Sequence, residues 1–165
     1  MEPDPSKKIM QKAGSLLARR AYSRGQLRDK LVPLGEPGHI EAILDRLEQL
    51  KLLNDAEFAY NSASHWVRQE GFGPTKVYHL LRRRQVSGTD ADAAIERVRA
   101  ETSDADALAD YLARRGRTRP LPADRKAIHK LIMTLRRRGF SPEVIWEVLR
   151  QKIPASAWRE FDTGD

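Results

Sequence analysis

Two arginine triplets, Arg82-Arg83-Arg84 and Arg136-Arg137-Arg138, are the strongest chemical feature of this chain. Three successive guanidiniums spread over about 200° of a helix, more than one helix end can spend on its own open carbonyls. At least one triplet is therefore expected to meet a polyanionic partner. A third basic run, Arg114-Arg115-Gly116-Arg117-Thr118-Arg119, falls in a stretch bounded by Gly and Pro and reads as a linker with adaptable contacts. Catalysis has little to work with. His39, His65, His79 and His129 are scattered with no i, i+4 pair for a metal, and there is no cysteine to act as nucleophile or thiolate ligand. No glycine-rich phosphate loop ends in Lys-Ser/Thr. Asp104, Asp106 and Asp110 read as the acidic first turn of a helix rather than a metal site. The expectation is a protein without enzyme activity, metal or cofactor.

The charges follow a pattern. The 165 residues carry 30 Lys+Arg against 23 Asp+Glu, a net charge of +7. Residues 7–30 hold eight basic and one acidic side chain, and 36–57 hold two and six. The alternation continues with five and one over 68–86, two and seven over 87–110, ten and one over 114–140, and three and five over 141–165. Three basic fronts with acidic backs imply a repeated unit rather than one basic tail. No apolar run is long enough to cross a bilayer and Met1–Pro5 lacks the features of a signal peptide, so a soluble, cytoplasmic protein is expected.

The elements that must position these cations are helices. Ile40, Ile43, Leu44 and Leu47 share one helical face, as do Ile128, Leu131, Ile132 and Leu135. Ser23 with Gln26 and Asn54 with Glu57 resemble capping boxes, while Pro74 and Pro142 suit a first turn. Pro33 should end a helix near Leu31. Trp66 and Trp146 fit core packing better than base stacking, and Tyr78 stays open as a contact. Leu81-Arg82-Arg83-Arg84-Gln85-Val86-Ser87 repeats as Leu135-Arg136-Arg137-Arg138-Gly139-Phe140-Ser141, with Arg28 to Gly35 a looser copy. The expected fold is all-α, with about nine helices in three tandem three-helix modules forming an elongated, curved array. The expected boundaries are a disordered tail over 1–6, modules over 7–53, 54–101 and 102–153, and a C-terminal tail over 154–165. That tail either caps the last module or frays.

The run Leu47-Glu48-Gln49-Leu50-Lys51-Leu52-Leu53-Asn54-Asp55-Ala56-Glu57-Phe58-Ala59 resembles the hallmark of the RecX regulatory proteins. Gly71-Phe72-Gly73-Pro74-Thr75-Lys76-Val77, running on to Leu81-Arg82-Arg83-Arg84, is similar to the Gly-Pro-basic helix of that family's second module, and Ser23-Arg24-Gly25-Gln26-Leu27-Arg28-Asp29-Lys30-Leu31 to the opening of its first. Arg137-Arg138-Gly139-Phe140-Ser141 is similar to its third. The resemblance runs from about Ala13 to Gln151, with departures at Gln26, at Asn54 and in the Pro/Gly-rich stretch 32–38. It implies a regulator that lodges in the groove of the RecA–DNA filament and inhibits ATP hydrolysis, strand exchange and LexA co-cleavage. The implied partners are the RecA filament and, weakly and through phosphates, single- or double-stranded DNA, with no membrane and a monomeric chain. The basic face expected to carry this comprises Arg19, Arg20, Arg28, Lys30, Lys76, Arg82, Arg83, Arg84, Arg114, Arg115, Arg136, Arg137 and Arg138. A freestanding, sequence-independent DNA-binding protein is the alternative. A nucleic-acid hydrolase would need acids beside the basic stripe, whereas the acids segregate to other helices.

Overall fold

The protein, seen in a computed structural model that describes residues 5–162 and side chains to Arg159, is all-α. Among the described residues ten α-helices follow one another: α1 (Pro5–Leu17), α2 (Arg24–Leu31), α3 (Pro37–Gln49), α4 (Asp55–His65), α5 (Pro74–Arg83), α6 (Gly88–Glu101), α7 (Asp104–Gly116), α8 (Arg125–Arg137), α9 (Pro142–Lys152) and α10 (Ala155–Asp162). The starts are chemical. Ser23 closes a full capping box with Gln26, and Ser103, Asp124 and Ser141 each accept a backbone N–H in the first turn of their helix. α2 ends at Leu31 and Pro33 sits in a short 3₁₀ turn, Val32–Leu34, as its missing donor requires. α1 begins at Pro5, so of the expected tail only residues 1–4 lie outside the described residues. Of the expected C-terminal tail, 155–162 form α10 and 163–165 lie outside. α7 runs on to Gly116, placing Arg114 and Arg115 in its last turn rather than in a linker.

The chain forms two compact units. One contains residues up to Ser62 together with Leu80–Ala94, and the other contains Ala63–His79 together with residues from Ile95 onward. In the first, Ile9, Leu27, Leu31, Ile40, Leu44 and Leu47 form a core sealed from water. In the second, Leu108, Leu112, Ile128, Leu135, Phe140, Ile145 and Leu149 do the same. Ala157 and Trp158 of α10 join that second core, and Trp158 donates its indole N–H to the Ile153 carbonyl at 3.2 Å. Trp146, half-buried, packs against Trp158 at 5.2 Å between ring centres.

The sequence repeat turns out to encode a helix ending. In α5 the N–H of Gln85 bonds the Arg82 carbonyl and that of Val86 bonds the Leu81 carbonyl; in α8 Gly139 and Phe140 do the same with Arg136 and Leu135. These are paired closing bonds of the Schellman type, with Gln85 (φ 61°) and Gly139 (φ 94°) in the left-handed conformation the motif demands. The serine that closes each repeat, Ser87 or Ser141, then caps the next helix. Arginines in a last turn favour the negative end of the helix dipole.

Each of these endings receives the start of another helix. The fully buried Ser23, before α2, donates its hydroxyl to the Arg84 carbonyl at the end of α5. Gly73, before α5, donates its N–H to the Arg138 carbonyl at the end of α8 at 2.7 Å, and Thr75 N–H reaches the Gly139 carbonyl at 3.3 Å. Both joints set a donor-rich N-terminus on an acceptor-rich C-terminus, so each end satisfies groups the other leaves open. The second joint leaves no room for a side chain. A Cβ on Gly73 would lie 2.4 Å from the Gly139 backbone, and one on Gly139 would lie 2.4 Å from the Lys76 nitrogen.

The substitution Gly73→Ala should therefore destabilise the protein by about 2 kcal/mol or more. Ser23→Ala, which removes the partner of the Arg84 carbonyl and of a helix N–H at a fully buried position, should cost about 1–3 kcal/mol. Gly14, inside α1 with nothing within 4 Å of where a methyl group would sit, should respond in the opposite sense, Gly14→Ala gaining about 0.5–1 kcal/mol. Urea unfolding followed by circular dichroism checks all three signs.

Candidate partner-binding surface

Arg138 is an internal clamp. Its guanidinium donates to the Gly71 carbonyl at 3.1 Å and to the Glu70 carbonyl, closing the end of the π-helical turn Trp66–Glu70. It also lies over the Tyr111 ring at 4.2 Å and the Phe72 ring at 5.1 Å, and the Lys76 ammonium sits 3.8 Å from the Phe72 ring centre. Phe72 thus gathers two of the expected contact residues, and cation–π attraction holds both in place. Two other expected contacts bond backbone carbonyls of the fold as well. Arg114 donates to the Arg68 carbonyl, and Arg82 spans its own helix ending to the Val86 carbonyl at 2.8 Å. Arg115 is half-buried, with its Nη1 out of reach of any hydrogen-bond partner among the described residues.

In the first unit Arg28 binds Glu41 through two nitrogens, and Arg20 stacks on Tyr22 at 3.9 Å. Arg24, which the expected basic face omits, is the most heavily paired arginine of this unit among the described residues. Its guanidinium pairs with Glu41 and Asp45 at 2.7 Å and with Glu48 at 2.8 Å, while its backbone N–H bonds the Asp55 carboxylate at 2.7 Å. Glu41, Asp45 and Glu48 recur at i, i+4 and i+7 on α3, a stripe whose spacing signals a cationic partner. Of the expected face, Arg19, Lys30, Arg83, Arg136 and Arg137 remain exposed with no ion pair, ring contact or side-chain hydrogen bond among the described residues. Arg84 is exposed and already engaged within the fold. Tyr78 is half-buried, its ring edge-on to His79 at 5.8 Å.

The Arg24 network ties stability to acid. Hydrogen bonds from Arg28 and then Arg24 hold the Glu41 carboxyl down at about 2, well below its ordinary 4.5. A carboxyl depressed in the fold contributes stability above pH 4.5 and loses it as pH falls through about 2. Burial pushes the Asp55 carboxyl up, against the pull of the Arg24 N–H, so its protonation relieves a cost instead. With 41% of its side chain exposed, Glu41 is worth no more than about 1 kcal/mol at neutral pH. Glu41→Gln should lower stability by that amount at pH 7 and flatten its fall between pH 4.5 and 2, as measured by urea midpoints across that range.

Comparison with known proteins matches these elements. The family model for the third three-helix domain of RecX matches residues 104–149, spanning α7 to α9. The regulatory protein RecX of Halorhodospira halophila is 34% identical over 143 residues, 85% of each chain. That of Leptothrix cholodnii is 33% identical over 147 residues, 88% of this chain and 90% of its own. The crystal structure of RecX from Lactobacillus salivarius has the same fold, with a TM-score of 0.76, 22% identity, and coverage of 90% of this chain and 96% of that one. By its extended identity to curated relatives and by the match over α7–α9, the chain belongs to the RecX family of regulatory proteins.

Proposed function

We propose that this protein regulates the RecA recombinase by binding the RecA–DNA filament and inhibiting its ATP hydrolysis, strand exchange and co-protease activity. Its relatives carry the name of regulatory proteins, which supports a role exerted through a partner rather than through chemistry of its own. The observation that carries the reading is the set of cations left over once internal pairing is complete. Of the expected basic face, Arg19, Lys30, Arg83, Arg136 and Arg137 stay exposed, while Arg28 is paired with a carboxylate and Arg20 and Arg138 are held by rings or carbonyls. Unpaired surface cations draw a polyanion at long range and lose that attraction as salt rises. In this reading the chain is a cytoplasmic monomer of three three-helix modules, 7–53, 54–101 and 102–153, which meets DNA only through phosphates. No helix among the described residues is long and apolar enough to cross a membrane.

The decisive measurement is DNA-dependent ATP hydrolysis by a RecA filament during titration with this protein at substoichiometric ratios. Progressive inhibition is expected; full activity at moderate salt, alongside tight binding to naked duplex, would sink the proposal. The paired change Arg136→Ala and Arg137→Ala should weaken inhibition about tenfold or more while leaving helix content intact. Arg138→Ala should act differently, lowering the unfolding midpoint because it frees two carbonyls and two ring faces.

A further inference from the structure

The exposed side of α8 carries more positive charge than the triplet at its end. Lys126, Lys130, Met133 and Arg137 recur at intervals of four, three and four, and all are exposed, with Arg136 beside them. This places them on one face, opposite Ile128, Leu131 and Leu135 in the core. From Lys126 to Arg137 the ridge runs about 16 Å at 1.5 Å per residue. No acidic residue lies within α8, and Asp124 just before it is committed to its cap. Among the described residues none of Lys126, Lys130, Arg136 and Arg137 has an ion pair, whereas Arg24, Arg28, Arg68 and Arg99 elsewhere are all matched with carboxylates.

The arrangement works against the helix that bears it. Lys126 sits in the first turn, where the dipole disfavours cations, and Lys126 faces Lys130 at i, i+4 as a like-charge pair. Helix stability therefore accounts for Arg136 and Arg137 in the last turn but not for Lys126 and Lys130, which point to a partner. We infer that this ridge is a seat for the phosphate backbone of nucleic acid, held without reading its sequence. A protein partner fits less well. The ridge offers no aromatic anchor and only one apolar side chain, Met133 at 39% exposed, where protein interfaces concentrate aromatic and apolar anchors. α9 is a poor alternative seat, since Glu143 and Glu147 are exposed along it and would repel phosphates. Arginine and lysine on phosphates fix position without selecting bases.

The inference deepens the nucleic-acid half of the reading above, rests on it, and needs no recombinase. The test is the full chain binding a fluorescent mixed-sequence oligonucleotide of about 30 nucleotides, single-stranded and duplex, by anisotropy between about 50 and 200 mM salt without RecA. Four phosphate contacts should give the ridge a slope of about −3 in log K against log salt on the single strand and about −4 on the duplex. The variant Lys126→Gln, Lys130→Gln, Arg136→Gln and Arg137→Gln should lose that slope and at least about 30-fold in affinity at low salt. A charge-matched variant, with Lys7, Lys8, Lys12 and Lys51 each changed to Gln, should stay within about threefold of the parent. Equal loss in both variants, or unchanged binding by the ridge variant, overturns the assignment. No binding by the parent protein at about 50 mM salt overturns the nucleic-acid reading itself. Helix content should hold, since the changes at Lys126 and Lys130 remove repulsion that offsets the loss of last-turn cations; should it fall, Lys126→Gln and Lys130→Gln singly are each expected to shift the slope by about one.

Discussion

One joint governs this structure: the start of a helix seated on the final carbonyl of another helix roughly sixty residues later. Ser23 on Arg84 and Gly73 on Arg138 are two instances of it. A helix leaves donors open at one end and acceptors at the other, and both must find partners when buried. Setting one end on the other answers both needs at once, with opposed partial charges adding their attraction. The composition of the repeat follows. The αL residue lets the chain turn back beneath the incoming helix, the apolar residue after it returns to the core, and the serine starts the next helix.

The joint also decides which cations are free. An arginine in the position that offers its carbonyl lies against the incoming helix start, and Arg138 is drawn into closing the π-helical turn before Gly71. Its two predecessors, Arg136 and Arg137, remain in water. A triplet that looks uniform in sequence is thus divided by geometry into one structural and two available members. The same holds along α2, where Arg24 and Arg28 are absorbed by the acidic stripe of α3 and Lys30 is left exposed.

Much of this is legible in local signals. Capping boxes, proline positions and apolar spacing mark α2, α3, α8 and α9 because these depend on residues within one or two turns. The repeat is visible too, but its meaning is not, since Leu-Arg-Arg-Arg reads as a basic helix end whether or not another helix arrives there. Nothing near Arg138 announces Gly71, Phe72 or Tyr111, which are remote from it in sequence. The α3 acids do carry a signal for Arg24, because their helical period points to a cation as well as to an acidic back. Glycine at 116 suggests a helix that stops short of the arginines, whereas α7 runs on to that glycine, so Arg114 and Arg115 look like linker residues in sequence and are helical in the fold.

The joint has a consequence for how such a chain can be cut, shuffled or lengthened. A three-helix segment looks like the natural piece to exchange, yet α5 has its first turn committed to one joint and its last turn to another. Removing the chain after residue 103 would take away the Arg138 carbonyl and guanidinium together, leaving Gly73 N–H and the Glu70 and Gly71 carbonyls without their partners. Inherited duplications must therefore copy a helix end along with the socket that receives it. The portable part of this protein is the junction, and the helices between junctions are its spacers.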